Sequence, residues 1–123
     1  MDWFRKEKSP PGPDFSHIDS REKAERLVET GELVALLMLP EEFGGDGRPE
    51  NVVFVPQFVA DLRESAHENI IRPLVAEGKV TQYSVEPEYA GKCFIPIALK
   101  LKAYNPAEFT YEIRIWGEAL GRP

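Results

Sequence analysis

The chain has 123 residues, 42% apolar and 29% charged, with a formal net charge of −6. That length supports about one domain around a single core, and the negative balance opposes nucleic-acid binding, which relies on clustered Lys and Arg against phosphates. The lone Cys93 excludes an intrachain disulfide or a Cys-pair zinc site, and with charges and prolines at the N-terminus and no apolar run longer than Leu33 to Leu39, a soluble cytoplasmic protein without a membrane partner is expected.

Residues 1–18 read as a Pro-rich extended arm preceding a single domain over 19–123. Pro10, Pro11 and Pro13 around Gly12 forbid regular pairing. Trp3, Phe4 and Phe15 in this arm are expected to pack on the parent domain, the other role for such rings being docking on a partner or a second protomer. A helix follows. Asp19 with Glu22 resembles a capping box, Glu22 and Arg26 have favourable spacing, Gly31 ends the last turn, and Ala24, Leu27 and Val28 supply the apolar stripe.

The run "ELVALLMLP" predicts a strand covered on both faces, and "NVVFV" predicts a second buried strand ended by Pro56. Between them, residues 41–50 form a glycine-rich hairpin connection. No Lys-Ser/Thr follows its glycines, so it is no phosphate-cradling loop, and Glu41, Glu42, Asp46 and Glu50 lack the alternating spacing of a calcium loop. The main helix is predicted over 57–77, with Phe58, Leu62, Ala66, Ile70 and Leu74 as its buried row, widened by Val59, Ile71 and Val75. Pro73 is expected to kink or divide it. Within it "HENII" fails as a zinc motif, since the second histidine of HExxH is replaced by Ile71, and His67 reads as a boundary residue beside Glu64.

After Gly78 the apolar period becomes two. Tyr83, Val85 and Tyr89 share one face of the next strand, Cys93, Ile95, Ile97, Leu99, Leu101 and Ala103 one face of another, and Phe109, Tyr111, Ile113 and Ile115 one face of the last. Matching inner faces around a five-residue loop, Tyr104 to Glu108, sets Leu101 opposite Tyr111, Leu99 opposite Ile113 and Lys100 opposite Glu112. The fold class is then α+β, two layers, with a mostly antiparallel five-stranded sheet carrying helices on one face, in the order α-β-β-α-β-β-β.

The outer sheet face carries more aromatic surface than solvation requires: Phe94, Tyr104 and Trp116, with Lys102 and Arg114 beside them. Such rings anchor interfaces, so a protein-interaction or self-associating module using this face, with a protein partner or a second copy of itself, is the leading expectation. The alternative is a small-molecule-binding or hydrolytic domain with a pocket between sheet and helix, drawing on Glu41, Glu42, Asp46 and His67 beside the 41–50 loop. No nucleophile elbow or dinucleotide fingerprint is present; no catalytic residue, cofactor or metal site is assigned.

Overall fold

The computed structural model describes residues 14–123; Trp3, Phe4 and the prolines at 10, 11 and 13 lie outside them. The chain folds as α+β. Helix α1 (Arg21–Glu29) is followed by β1 (Val34–Leu37) and β2 (Val52–Val55), then by α2 (Gln57–Ala66), a π-turn (His67–Ile71) and α3 (Arg72–Ala76), and finally by β3 (Gln82–Glu88), β4 (Ala98–Tyr104) and β5 (Glu108–Arg114). The strands form two antiparallel sheets, β1-β2 and β3-β4-β5, where a single five-stranded sheet was expected.

Strand β1 shows why the sheet divides. Its alternation does not place it between neighbours: Val34, Leu36 and Leu37 are only half-buried and Ala35 is exposed, so an apolar run that reads as a strand covered on both faces is one side of a two-stranded ribbon. Helix α1 is capped by Ser20, whose Oγ accepts from the Lys23 amide at 3.2 Å, while Asp19 pairs with Lys23 instead of capping. A hydroxyl that satisfies an orphan N–H of the first turn is the better cap here, because the carboxylate has a cation within 2.8 Å.

The 41–50 connection is tied down by one side chain. Asn51 accepts from the Leu39 amide at 2.8 Å and donates to the carbonyls of Leu39 and Asp46 at 3.0 and 2.8 Å. Gly45 is required where the loop passes this clamp, since a Cβ there would fall 1.7 Å from the Leu39 carbonyl oxygen.

The helical run is divided as expected, into α2 and α3, but the interruption is a π-turn ahead of Pro73, which itself sits in the first turn of α3. The π-turn before it, in which the Arg72 amide bonds to the His67 carbonyl five residues back, widens the backbone where the proline ring would crowd the carbonyl at residue 69. Strands β4 and β5 pair in the expected register, with Leu101 opposite Tyr111, Leu99 opposite Ile113 and Lys100 opposite Glu112. The turn is shorter than expected, because Tyr104 still pairs with Glu108 and Asn105 adopts a left-handed backbone (φ 76°) that reverses the chain within three residues.

The core joins all these elements: Phe15 and Ile18, Val53 to Val55, Val59, Ile71, Ile95, Ile97, Leu99, Leu101, Ile113 and Ile115 are buried together. Replacing Asn51 by alanine removes three hydrogen bonds at once, two of them part-buried. Each is worth about 0.5–1.5 kcal/mol net, so urea unfolding of Asn51→Ala is expected to show a loss of roughly 2–4 kcal/mol, against no more than about 0.5 kcal/mol for an exposed control such as Glu29→Ala.

Candidate functional site

The helical run α2–π-turn–α3 presents two neighbouring rows at four-residue spacing. The more apolar one, Phe58, Leu62, Ala66, Ile70 and Leu74, was expected inside. The structure buries most of the other: Val59, Arg63, His67 and Ile71 face the core, whereas Phe58, Leu62 and Ile70 are exposed, Leu62 to 50%. Ala66 is half-buried, Leu74 is half-buried against the core as expected, and beyond the π-turn Val75 is exposed instead.

Two basic side chains make this orientation possible. Arg63, 7% exposed, donates from Nη1 to the Leu37 carbonyl at 2.8 Å and lies over the Tyr83 ring at 5.6 Å. His67 is buried rather than at the boundary, and its partner is Glu42, not Glu64: Nε2 and Oε1 are 3.0 Å apart, with the Phe43 ring edge-on at 6.4 Å. Phe43 in turn stacks on Tyr83 at 5.1 Å. Burial pushes the Tyr83 hydroxyl up to about 12 against the pull of the Arg63 charge. No carboxylate lies within ion-pair distance of Arg63 among the described residues, and the His67 Nδ1 and Tyr111 hydroxyl are buried without hydrogen-bond partners there.

The residues assigned to an alternative pocket are brought together only in part. Glu42 meets His67 and also accepts from Arg72 at 3.2 and 2.8 Å, while Arg72 pairs with Glu68 as well. Glu41 borders a neighbouring cleft of about 440 Å³ between β1 and α2, with Gln57, Asp61, Arg63 and Glu64. Asp46 is elsewhere, accepting from the Arg48 amide and bordering a separate hollow with Gly44 and Gly45. No group of three or more His, Cys, Asp or Glu among the described residues is arranged to hold a metal ion.

The outer-face aromatics are likewise dispersed. Trp116 is a core residue, 6% exposed, with its ring edge-on to Phe15 at 6.0 Å and Nε1 donating to the Ile95 carbonyl at 3.1 Å. Alternation fails there because Ile115 and Trp116 both donate to the Ile97 carbonyl, so two residues oppose one and the next side chain turns inward. Phe94 is not in a strand. Its amide donates to Ile18 and its ring lies against Phe54 at 6.1 Å, near the Arg21 guanidinium. Tyr104 and Lys102 do lie on the outer face, stacked on one another at 5.0 Å. Arg114 is engaged by Glu112 and by the Arg122 and Pro123 carbonyls, and Arg122 binds Glu88 and Glu112, so Glu112 pairs with arginines rather than with Lys100. What remains of that face is an open hollow of about 520 Å³ bordered by Ser84, Glu86, Lys100, Lys102, Thr110 and Glu112, with Leu101 and Tyr111 also in its lining.

A different surface carries the apolar excess. Leu62, Ala66 and Ile70 of the helical run border a groove of about 340 Å³ whose other wall is Tyr111, Glu112 and Ile113 of β5. Strand β5 ends the three-stranded sheet. The bonds Ile115 N–H to Ile97 and Asn105 N–H to Ala107 place the hydrogen-bonded pairs of this hairpin at odd positions, so the N–H and C=O groups of Thr110 and Glu112 point away from β4. The groove thus has an apolar floor and a polar backbone rim. The helical spacing made this row visible in the sequence, but on the wrong side of the helix.

No family model, curated protein or solved structure matches this chain in sequence or fold comparison. No described helix is long and apolar enough to cross a membrane.

The Glu42 carboxyl is held below its ordinary value of 4.5, first by hydrogen bonds from Arg72 and then by that from His67. A carboxylate depressed on folding contributes stability in full above its ordinary value and loses that contribution as pH falls through the folded value. Glu42→Gln is expected to be less stable than the wild type at neutral pH, with the difference shrinking below the ordinary carboxylate value; thermal unfolding of both proteins across pH 3–8 (roughly the carboxylate and histidine range) checks this.

Proposed function

We propose that the chain is a protein-interaction module whose contact surface is the exposed apolar side chains of the helical run together with the free edge of β5. The observation that carries this reading is the exposure of Phe58, Leu62, Ile70 and Val75 on one helical run beside an edge strand. An amphipathic helix normally turns its most apolar row inward, and exposed apolar side chains in a contiguous patch mark contact sites. Unpaired backbone groups along a strand edge offer a further element a ladder to join. The outer sheet face is the weaker candidate, because two of its three expected rings are engaged inside the protein. A cytoplasmic setting belongs to the same proposal and is supported by the lone cysteine.

Affinity capture from host lysate with wild-type protein, with Leu62→Lys/Ile70→Lys, and with Tyr104→Ala/Lys102→Ala tests the assignment. Capture of a specific partner is expected to fall at least about tenfold in the helix variant, the loss that follows from removing roughly 1.4 kcal/mol or more of contact, and to persist in the outer-face variant. The reverse pattern would move the contact surface to the outer face of the sheet.

A further inference from the structure

Two edges close the three-stranded sheet, and they differ. In β3 the odd positions direct their backbone away from β4, and one of these is Pro87, which has no N–H to offer; proline at such a position blunts an edge. Strand β5 contains no proline and leaves the N–H and C=O groups of Thr110 and Glu112 without a backbone partner among the described residues. One edge is closed to a further strand and the other is open.

We infer that the open edge is completed by a second copy of this chain, β5 pairing antiparallel with β5 about a two-fold axis at Tyr111. This inference rests on the interaction reading above and names the partner of that same surface. A two-fold contact must be self-complementary, and the residue order of β5 meets that requirement in one register. Centred on Tyr111, every residue of Glu108–Arg114 finds a counterpart: Glu108 faces the partner's Arg114, Thr110 faces the partner's Glu112, and Phe109 faces the partner's Ile113.

Neighbouring registers are worse. Centring on Thr110 sets Glu108 against the partner's Glu112, and centring on Glu112 sets the two Glu112 carboxylates side by side, each a like-charge pair that destabilises a ladder. Centring on Phe109 or Ile113 leaves more than half the strand unpaired. The Tyr111 register also uses the backbone groups that are free, because its hydrogen-bonded pairs fall at the even positions. On the inner side it joins Phe109, Tyr111 and Ile113 of both strands into one apolar row, flanked from each copy by Leu62 and Ile70, which gives the exposed helical row its cover.

The test uses the full chain. Sedimentation equilibrium is expected to show a dimer that Thr110→Pro, which removes an outward N–H and leaves the β4 ladder intact, converts to monomer. For the register, Thr110→Cys and Glu112→Cys proteins in a Cys93→Ser background are mixed and mildly oxidised: the mixture is expected to give a disulfide-linked dimer in excess over either protein alone, because only that pairing brings the Cα atoms to about 5.5 Å. Circular dichroism of each variant separates loss of pairing from loss of fold. A wild-type monomer at all concentrations, or cross-linking of Thr110→Cys alone as efficient as that of the mixture, would overturn the inference. The wider interaction reading fails separately: a wild-type monomer that captures another protein through Leu62 and Ile70 removes only the self-pairing.

Discussion

Arg63 fixes the roll of the long helical run, and most of the molecule's surface character follows from it. Rolling α2 by one residue, about 100°, would exchange one four-residue row for its neighbour. The apolar terms nearly cancel in that exchange, since Leu62, Ile70 and Phe58 would gain burial while Val59 and Ile71 lost it, at about 1.5–3 kcal/mol for each complete burial. The polar terms do not cancel. Arg63 would leave the Leu37 carbonyl and the Tyr83 ring, and His67 would leave Glu42, with hydrogen bonds to charged groups worth about 1.5–3 kcal/mol each. An uncapped Leu37 carbonyl and a Glu42 without its His67 partner would remain.

The same contacts organise what lies around the helix. Leu37 belongs to β1 and Tyr83 to β3, so Arg63 bridges the two sheets through one side chain. His67 draws the 41–43 turn against α2, and Phe43 of that turn stacks on Tyr83, closing the side of the molecule near β3. Along β5, the outward backbone edge has no partner among the described residues. The exposed apolar row and the open strand edge coincide at the groove where Leu62 and Ile70 face Tyr111 and Ile113.

Where one interaction dominates locally, the sequence was legible. The β4–β5 register followed from alternation on two strands joined by a tight turn, because a slip of one residue would reverse both faces. Phe15 packing on the domain was expected from its ring alone. The errors lie where a periodic pattern was extended past the element that generates it: Trp116 follows a point where two residues oppose one, and Phe94 precedes β4 in a segment whose backbone bonds to Ile18. The helix face was misread for another reason. Periodicity ranks rows by hydrophobicity and cannot see that a carbonyl in β1 and a carboxylate in the 41–43 turn, 26 and 25 residues away in the chain, satisfy the charged row. The candidate surface was consequently written in the sequence as core.

Thiol labelling of single-cysteine proteins in a Cys93→Ser background addresses the roll of α2 directly. With Arg63 and His67 inside, a cysteine at position 62 reacts under native conditions nearly as fast as in denaturant, while one at position 59 reacts only as fast as the protein unfolds. Protection of position 62 together with rapid labelling at position 59 would contradict the account, and with it the assignment of the apolar row to the surface.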